Sequence, residues 1–138
     1  MPIIRLAEIP EVAQISPDVD ALVMQKAIGS KRRDPAFALP AETDALSVTY
    51  VTIWGRHRRI RCDECDRVMF VVAGAAIVQV GEEPPTRLGA GDFVLIPRGT
   101  PYQFQGQMTY LVINSPAYRE GADRYDDGYD GPPVRSGG

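Results

Sequence analysis

Histidine occurs once in this chain of 138 residues, tryptophan once and cysteine twice. That scarcity removes several classes of protein at the outset. A structural zinc site takes about four nitrogen or sulfur ligands, and His57, Cys62 and Cys65 cannot supply them. A disulfide-stapled scaffold needs several cysteine pairs, so two unpaired thiols in a reducing compartment are expected instead. The Cys62-x-x-Cys65 spacing matches a thioredoxin-like redox motif, but that motif belongs to a βαβ setting, and strand-like residues flank this one. Long apolar runs are also missing: the longest, Val68–Ala73 with its continuation, is too short to span a bilayer. Residues 1–12 carry Arg5, Glu8 and Glu11 where a secretory leader would have an apolar core, so a cytoplasmic location without membrane contact is expected. Excess positive charge is missing too. The net charge is −3, and the basic run Arg56–Arg61 is followed at once by Asp63, Glu64 and Asp66, so no nucleic-acid partner is expected.

What is present is an ordinary globular balance, 44% hydrophobic and 24% charged, with a length that suits one core. Residues 1–40 read as an arm. A short strand is expected at Ile3–Leu6, and Ser16-Pro17-Asp18 can start a helix through Ala21–Ile28 that stops at Gly29. Lys31–Pro40 reads as loop or edge. From residue 41 the pattern changes to short segments rich in β-branched and aromatic residues, punctuated by Gly and Pro. Ser47–Trp54, Arg67–Val72, Ala76–Val80, Phe93–Ile96, Tyr102–Phe104 and Met108–Asn114 are predicted strands, with a tight turn at Ala73-Gly74-Ala75. Such spacing indicates a sandwich or barrel over residues 41–117. The tail, 118–138, is polar, acidic and glycine-rich, and its end is expected to be disordered, with Tyr118, Tyr125 and Tyr129 able to pin its first half.

Two stretches carry a family pattern. Gly55 is followed by five residues, Arg61-Cys62-Asp63, three residues, Arg67, six residues and Gly74. Gly91 is followed by five residues, Pro97-Arg98-Gly99, then Tyr102 and Gly106. Both frames are similar to the two motifs of the cupin superfamily, with no residue inserted or missing. The resemblance implies an all-β fold, a jelly-roll (double-stranded β-helix) barrel. It also implies where a metal would be held, because the family's three histidines and one glutamate fall on Arg61, Asp63, Arg67 and Tyr102. Arginine stays protonated and does not ligate metals, so the usual metal is expected to be absent and no cofactor is assigned. A shift of one residue would put Cys62 in the second histidine's place. A non-standard site from Cys62, Asp63, Asp66 and His57 is the remaining route to a metal.

If residues of one parity share a face, Arg61 and Asp63 point inward with Arg67 and Tyr102, and Asp63 pairs with one of the arginines. One reading is a plug that replaces the metal and stiffens the barrel. The other is a small-molecule pocket. In that pocket Tyr102, Arg67, Asp63 and His57 would act on the substrate, the guanidinium would lower the Tyr102 pKa, and Arg61, Tyr50, Met69 and Phe104 would contact the ligand. These groups suit isomerisation, epimerisation, cyclisation or elimination on a small polar or anionic metabolite in a biosynthetic pathway. A non-catalytic metabolite-binding or accessory protein is the main alternative, and a metal-dependent oxygenase with atypical ligands a third. A homodimer is expected, with Ile3–Leu6 adding a strand to a neighbour's sheet edge.

Overall fold

Alternation of apolar and polar side chains makes the chain almost entirely strand in the computed structural model, which describes residues 3–16 and 19–126. The strands are β1 (Val12–Ser16), β2 (Val19–Gly29), β3 (Ala41–Glu42), β4 (Ser47–Cys62), β5 (Asp66–Val80), β6 (Thr86–Gly89), β7 (Phe93–Ile96), β8 (Tyr102–Ser115) and β9 (Asp123–Tyr125). They form one sheet in the order β1-β2-β4-β8-β5-β6, with β3 beside β2, β7 beside β5 and β9 beside β4. Every pairing is antiparallel except β2 with β3. The result is an all-β jelly-roll barrel.

The N-terminal segment departs from the expectation. Ile3–Leu6 forms no strand; a 3-10 turn occupies Leu6–Glu8. The helix expected over Ala21–Ile28 is strand β2, paired with β4 from Ala21 opposite Trp54 to Ile28 opposite Val48. Leu22, Met24 and Lys26 are all buried, so the segment repeats every two residues. A sheet with an open edge at β4 offers that pattern a full ladder, which outweighs a modest helix propensity. The turn expected at Ala73-Gly74-Ala75 is likewise absent. Strand β5 runs through it with a bulge between Val71 and Ala73, and Gly74 bends the strand at φ 85. At the other end Asp123–Tyr125 pairs with Ile60–Cys62 of β4, and Tyr118 is buried. The tail beyond residue 126, with Tyr129 and the expected disorder, lies outside the described residues.

Met24, Val51, Ile53, Met69, Val71, Met108 and Val112 fill the barrel between the two faces. Each such side chain contributes about 1.5–3 kcal/mol when removed from water. This apolar plug occupies the middle of the interior and leaves one end to polar residues.

Candidate functional site

Two inward rows build the polar end. Ser47, Asn114 and Arg67 lie side by side across β4, β8 and β5, and Lys26, Thr49, Val112 and Met69 form the next row across β2, β4, β8 and β5. All of them are buried. Arg67 is the hub. Its Nε donates to Asn114 Oδ1 at 2.6 Å, one terminal nitrogen donates to Tyr102 Oη at 2.6 Å, and the other meets Asp123 Oδ1 at 3.1 Å. Burial alone would disfavour the charge, but Asp123 more than offsets it and holds Arg67 protonated. Asn114 Nδ2 donates in turn to Ser47 Oγ at 3.3 Å, which also accepts from the backbone N–H of Tyr118 at 3.0 Å.

Lys26 also lies near the Tyr118 ring. Its Nζ lies 5.2 Å from the Phe37 ring centre and 5.6 Å from that of Tyr118, while the Arg67 guanidinium lies 5.7 Å from the same Tyr118 ring. Burial first, then Arg67, pulls the Lys26 pKa down from 10.5 to about 8. Among the described residues Lys26 Nζ, Thr49 Oγ1 and Asp123 Oδ2 are buried without a hydrogen-bond partner. An unmatched buried polar group costs about 1–3 kcal/mol, and more if charged. Here an ammonium and a carboxylate oxygen are both unmatched and yet stop short of each other.

Three stacked aromatic rings, His57, Phe104 and Tyr102, adjoin this cluster through Tyr102. His57 stacks on Phe104 at 4.8 Å, and Tyr102 lies parallel to Phe104 at 6.1 Å. Burial keeps the His57 pKa below its usual value, so the ring is neutral. Its Nδ1 lies 2.8 Å from the Arg58 carbonyl, which fixes the proton there and leaves the lone pair on Nε2. Burial pushes the Tyr102 pKa up to about 12. The sequence-based expectation of a lowered value is therefore reversed: desolvation exceeds the pull of the guanidinium, and Tyr102 stays a neutral phenol that keeps its proton. Beyond Arg67, Cys65 Sγ lies 2.9 Å from Cys62 Sγ and 3.6 Å from Asn114 Oδ1. The hydrogen bond from Cys65 lowers the Cys62 pKa to about 7 and raises that of Cys65.

Of the residues singled out in the sequence, Arg67, Tyr102, His57, Met69 and Phe104 come together inside the barrel. Arg61, Asp63 and Tyr50 do not. The pairing of β4 slips between His57 and Ile60, and a one-residue slip turns every following side chain to the other face. Ile60 and Cys62 thus point inward, while Arg61 bonds Asp63 at 3.1 Å and Asp126 at 2.9 Å on the surface. The partner of Arg67 is consequently Asp123 and not Asp63. Tyr50 falls between the inward Thr49 and Val51 and faces outward, opposite Leu111. Asp66 binds the backbone N–H of Arg98 at 2.9 Å, on the surface. The sequence patterns single out none of Lys26, Asn114 and Asp123 for this site, and Tyr118 only as an anchor for the tail. Lys26 was hidden by the helix assignment and Asp123 by the polar tail, although the two-residue rhythm Leu22-Met24-Lys26 and the tyrosines flanking Asp123 were signals for both.

The donor set does not fit the metal of the resembling family. Arg67 places a guanidinium where the glutamate would be, and a divalent ion there would meet a fixed positive charge. The non-standard set is dispersed as well, with Cys62 and His57 inside and Asp63 and Asp66 outside. No cluster of three or more His, Cys, Asp or Glu stands ready for an ion among the described residues.

Comparison with known proteins agrees with this architecture. The family model described as Cupin matches residues 42–134. The chain belongs to the cupin family. It is a cupin that lacks the usual histidine and glutamate ligands. No curated protein matches its sequence. Among solved structures it is similar to Streptomyces Pac13 with uridine, at 17% identity and TM-score 0.65, covering 91% of this chain and 89% of that one. It is also similar to the DMSP lyase DddQ from Ruegeria pomeroyi, at 22% identity and TM-score 0.70, covering 89% and 64%. KdgF from Halomonas sp. follows at 19% identity and TM-score 0.64, covering 92% and 97%. At these identities the likeness concerns the fold. No helix among the described residues is long and apolar enough to cross a membrane.

Proposed function

We propose that this cupin is an enzyme that works without the family's metal and moves protons on a small anionic metabolite, by isomerisation, cyclisation or elimination in a biosynthetic pathway. One observation carries the reading: Lys26 Nζ, Thr49 Oγ1 and Asp123 Oδ2 are buried and unmatched at the same end of the barrel. A plug selected only for rigidity would pair them or replace them with apolar side chains, which is often neutral or stabilising. Beside Tyr118 lie two buried cations, Lys26 and Arg67; Asp123 bonds Arg67 and does not reach Lys26, so a monoanion would suit the site. A ligand carboxylate between Lys26 and Arg67, with a hydroxyl reaching Asp123 Oδ2, would satisfy the unmatched atoms together.

In this site Tyr102, kept protonated by burial and held by Arg67, donates a proton, and neutral His57 accepts one at Nε2. A nucleoside dehydratase, Pac13, and a lyase, DddQ, stand among the structural neighbours, in keeping with an elimination. A cytoplasmic, reducing location suits the free thiols of Cys62 and Cys65. The second reading is a non-catalytic binder. It is favoured by Arg67, whose three nitrogens are already committed to Asn114, Tyr102 and Asp123.

A thermal-shift screen of small carboxylates, followed by turnover of the hits in excess chelator, tests the proposal. Tyr102→Phe should lower activity by about 10²–10⁴-fold, the range for losing a positioned acid, and should also cost about 1–3 kcal/mol of stability, because a buried N–H of Arg67 loses its acceptor. Binding without turnover would support the binder, and a chelator-sensitive reaction would overturn metal independence.

A further inference from the structure

Resting on the reading of this interior as an anion site, we propose that Lys26 is a nucleophile that captures the carbonyl carbon of a small 2-oxo acid as an imine. A lysine amine attacks a carbonyl carbon only as the free base. It must shed its proton near neutral pH, its lone pair must be free of a permanent hydrogen bond, and water must be kept away. Lys26 is only 1% exposed. Its Nζ has no hydrogen-bond partner among the described residues, and the rings of Phe37 and Tyr118 flank it. Burial and the nearby Arg67 cation both favour the free amine, as the lowered pKa of about 8 reflects. A purely structural ammonium would be expected to meet a carboxylate. Asp123, the carboxylate of this cluster, gives one oxygen to Arg67 and leaves the other unbonded without reaching Lys26.

The chemistry needs no oxidant or reductant. The amine lone pair forms a C–N bond to the carbonyl carbon, and a nitrogen proton passes to the carbonyl oxygen. The carbinolamine then expels that oxygen as water with the second nitrogen proton, leaving C=N. Protonation of the imine restores the positive charge that Lys26 gave up, and the carboxylate of a 2-oxo acid offsets it. That charge count favours a 2-oxo acid over a neutral aldehyde. Thr49, directly across the ladder from Lys26, presents its unmatched hydroxyl to the polar oxygens of the ligand. The imine, once formed, is an electron sink for proton loss at the neighbouring carbon, the kind of step for which Tyr102 and His57 are placed.

The chain itself contains the control. Lys26 and Lys31 are its two lysines, and the Lys31 side chain is 83% exposed. The full chain is incubated with pyruvate and cyanoborohydride, and adducts are located by peptide mass mapping. One N-carboxyethyl group per chain on Lys26, with Lys31 unmodified, is the expected result. Lys26→Met should abolish the adduct, and Lys26→Arg should abolish it while keeping any pyruvate-induced rise in melting temperature. Acetaldehyde, which lacks the carboxylate, should label Lys26 far less than pyruvate does. No adduct on Lys26, or equal labelling of Lys31, overturns the imine. Equal labelling by acetaldehyde overturns the substrate class. If pyruvate raises the melting temperature but leaves no adduct, the imine fails and the anion site stands. If it does neither, both fail.

Discussion

Lys26 and Arg67 are both cations deep in the same barrel, yet the fold treats them in opposite ways. Arg67 has Asp123 and is held protonated, whereas Lys26 has no hydrogen-bond partner among the described residues and is pulled toward the neutral amine. Between about 8 and 10.5 the unfolded chain keeps the Lys26 proton while the folded chain has released it. The unfolded state then binds more protons, so stability should rise with pH across that window, by up to about 3 kcal/mol. Below it the full penalty is present. Arg67 and Arg33 act with burial to lower the value, and Asp123 and Asp34 oppose them. Denaturant titrations through the window should show this rise in the native protein and not in Lys26→Met, which should also be the more stable at neutral pH. Equal slopes for the two proteins would refute it. The partner of Arg67 is open to the same kind of measurement. Asp123→Ala leaves a buried guanidinium uncompensated and should cost roughly 3–5 kcal/mol. Asp63→Ala removes only a surface pair with Arg61, worth about 0–1 kcal/mol. A large loss at Asp63, or none at Asp123, would contradict the assignment of partners.

Long strands that bend sharply set the geometry of the barrel, and glycine makes the bends possible. A Cβ on Gly74 would come within 2.2 Å of the Gln107 carbonyl oxygen and 2.8 Å of Met108 Cα, both backbone atoms of β8 that cannot retreat cheaply. At Gly91 the φ is also positive, 90, but a Cβ would meet nothing within 4 Å. The two positions separate crowding from backbone strain. Gly91→Ala should cost only about 1–2 kcal/mol, the left-handed penalty, whereas Gly74→Ala should cost more than about 4 kcal/mol or fail to fold. Urea unfolding of both variants checks the contrast. The same bends explain why Arg67 and Tyr102, 35 residues apart, meet inside the barrel: they lie at opposite ends of the β5–β8 ladder, Arg67 opposite Asn114 and Tyr102 opposite Val80, so only a ladder that bends back on itself brings them together.

On the surface of the whole molecule, Phe93 and Leu95 stand out at 72% and 64% exposure on β7. That strand pairs with β5 on one side and forms an edge on the other. Phe70 and Val68 lie opposite them across the ladder, so the four make one outward apolar strip. We propose that a second copy of the chain covers it, because an apolar strip along an edge strand can meet the same strip of another copy in a two-fold contact. In the single chain Ile3–Leu6 forms no strand, and Gln25 ties Leu6 and Ile9 back onto β2 through their carbonyls. Light scattering should report a dimer that Phe93→Glu with Leu95→Glu converts to monomer. A monomer in the unaltered protein would rule the contact out.

What the sequence determined by itself was the barrel. Glycine and proline spacing from Gly55 to Gly106 gave the family frame, because turns and close strand crossings tolerate few other residues at Gly74, Gly91 and Gly99. Arg67 and Tyr102 were legible as inward for the same reason, being counted from those fixed points. The tertiary structure decided the rest. The slip between His57 and Ile60 reverses the face of Arg61 and Asp63, and no local pattern announces a slip that depends on how β4 meets β8 and β9. Asp123 joins Arg67 from 56 residues away, through a tail whose polarity argued for solvent. Lys26 lies inside only because β4 supplied an edge for a segment whose local signals favoured a helix. Position along the chain sets which side chains are available; strand register, a property of pairs of strands, sets which of them face one another.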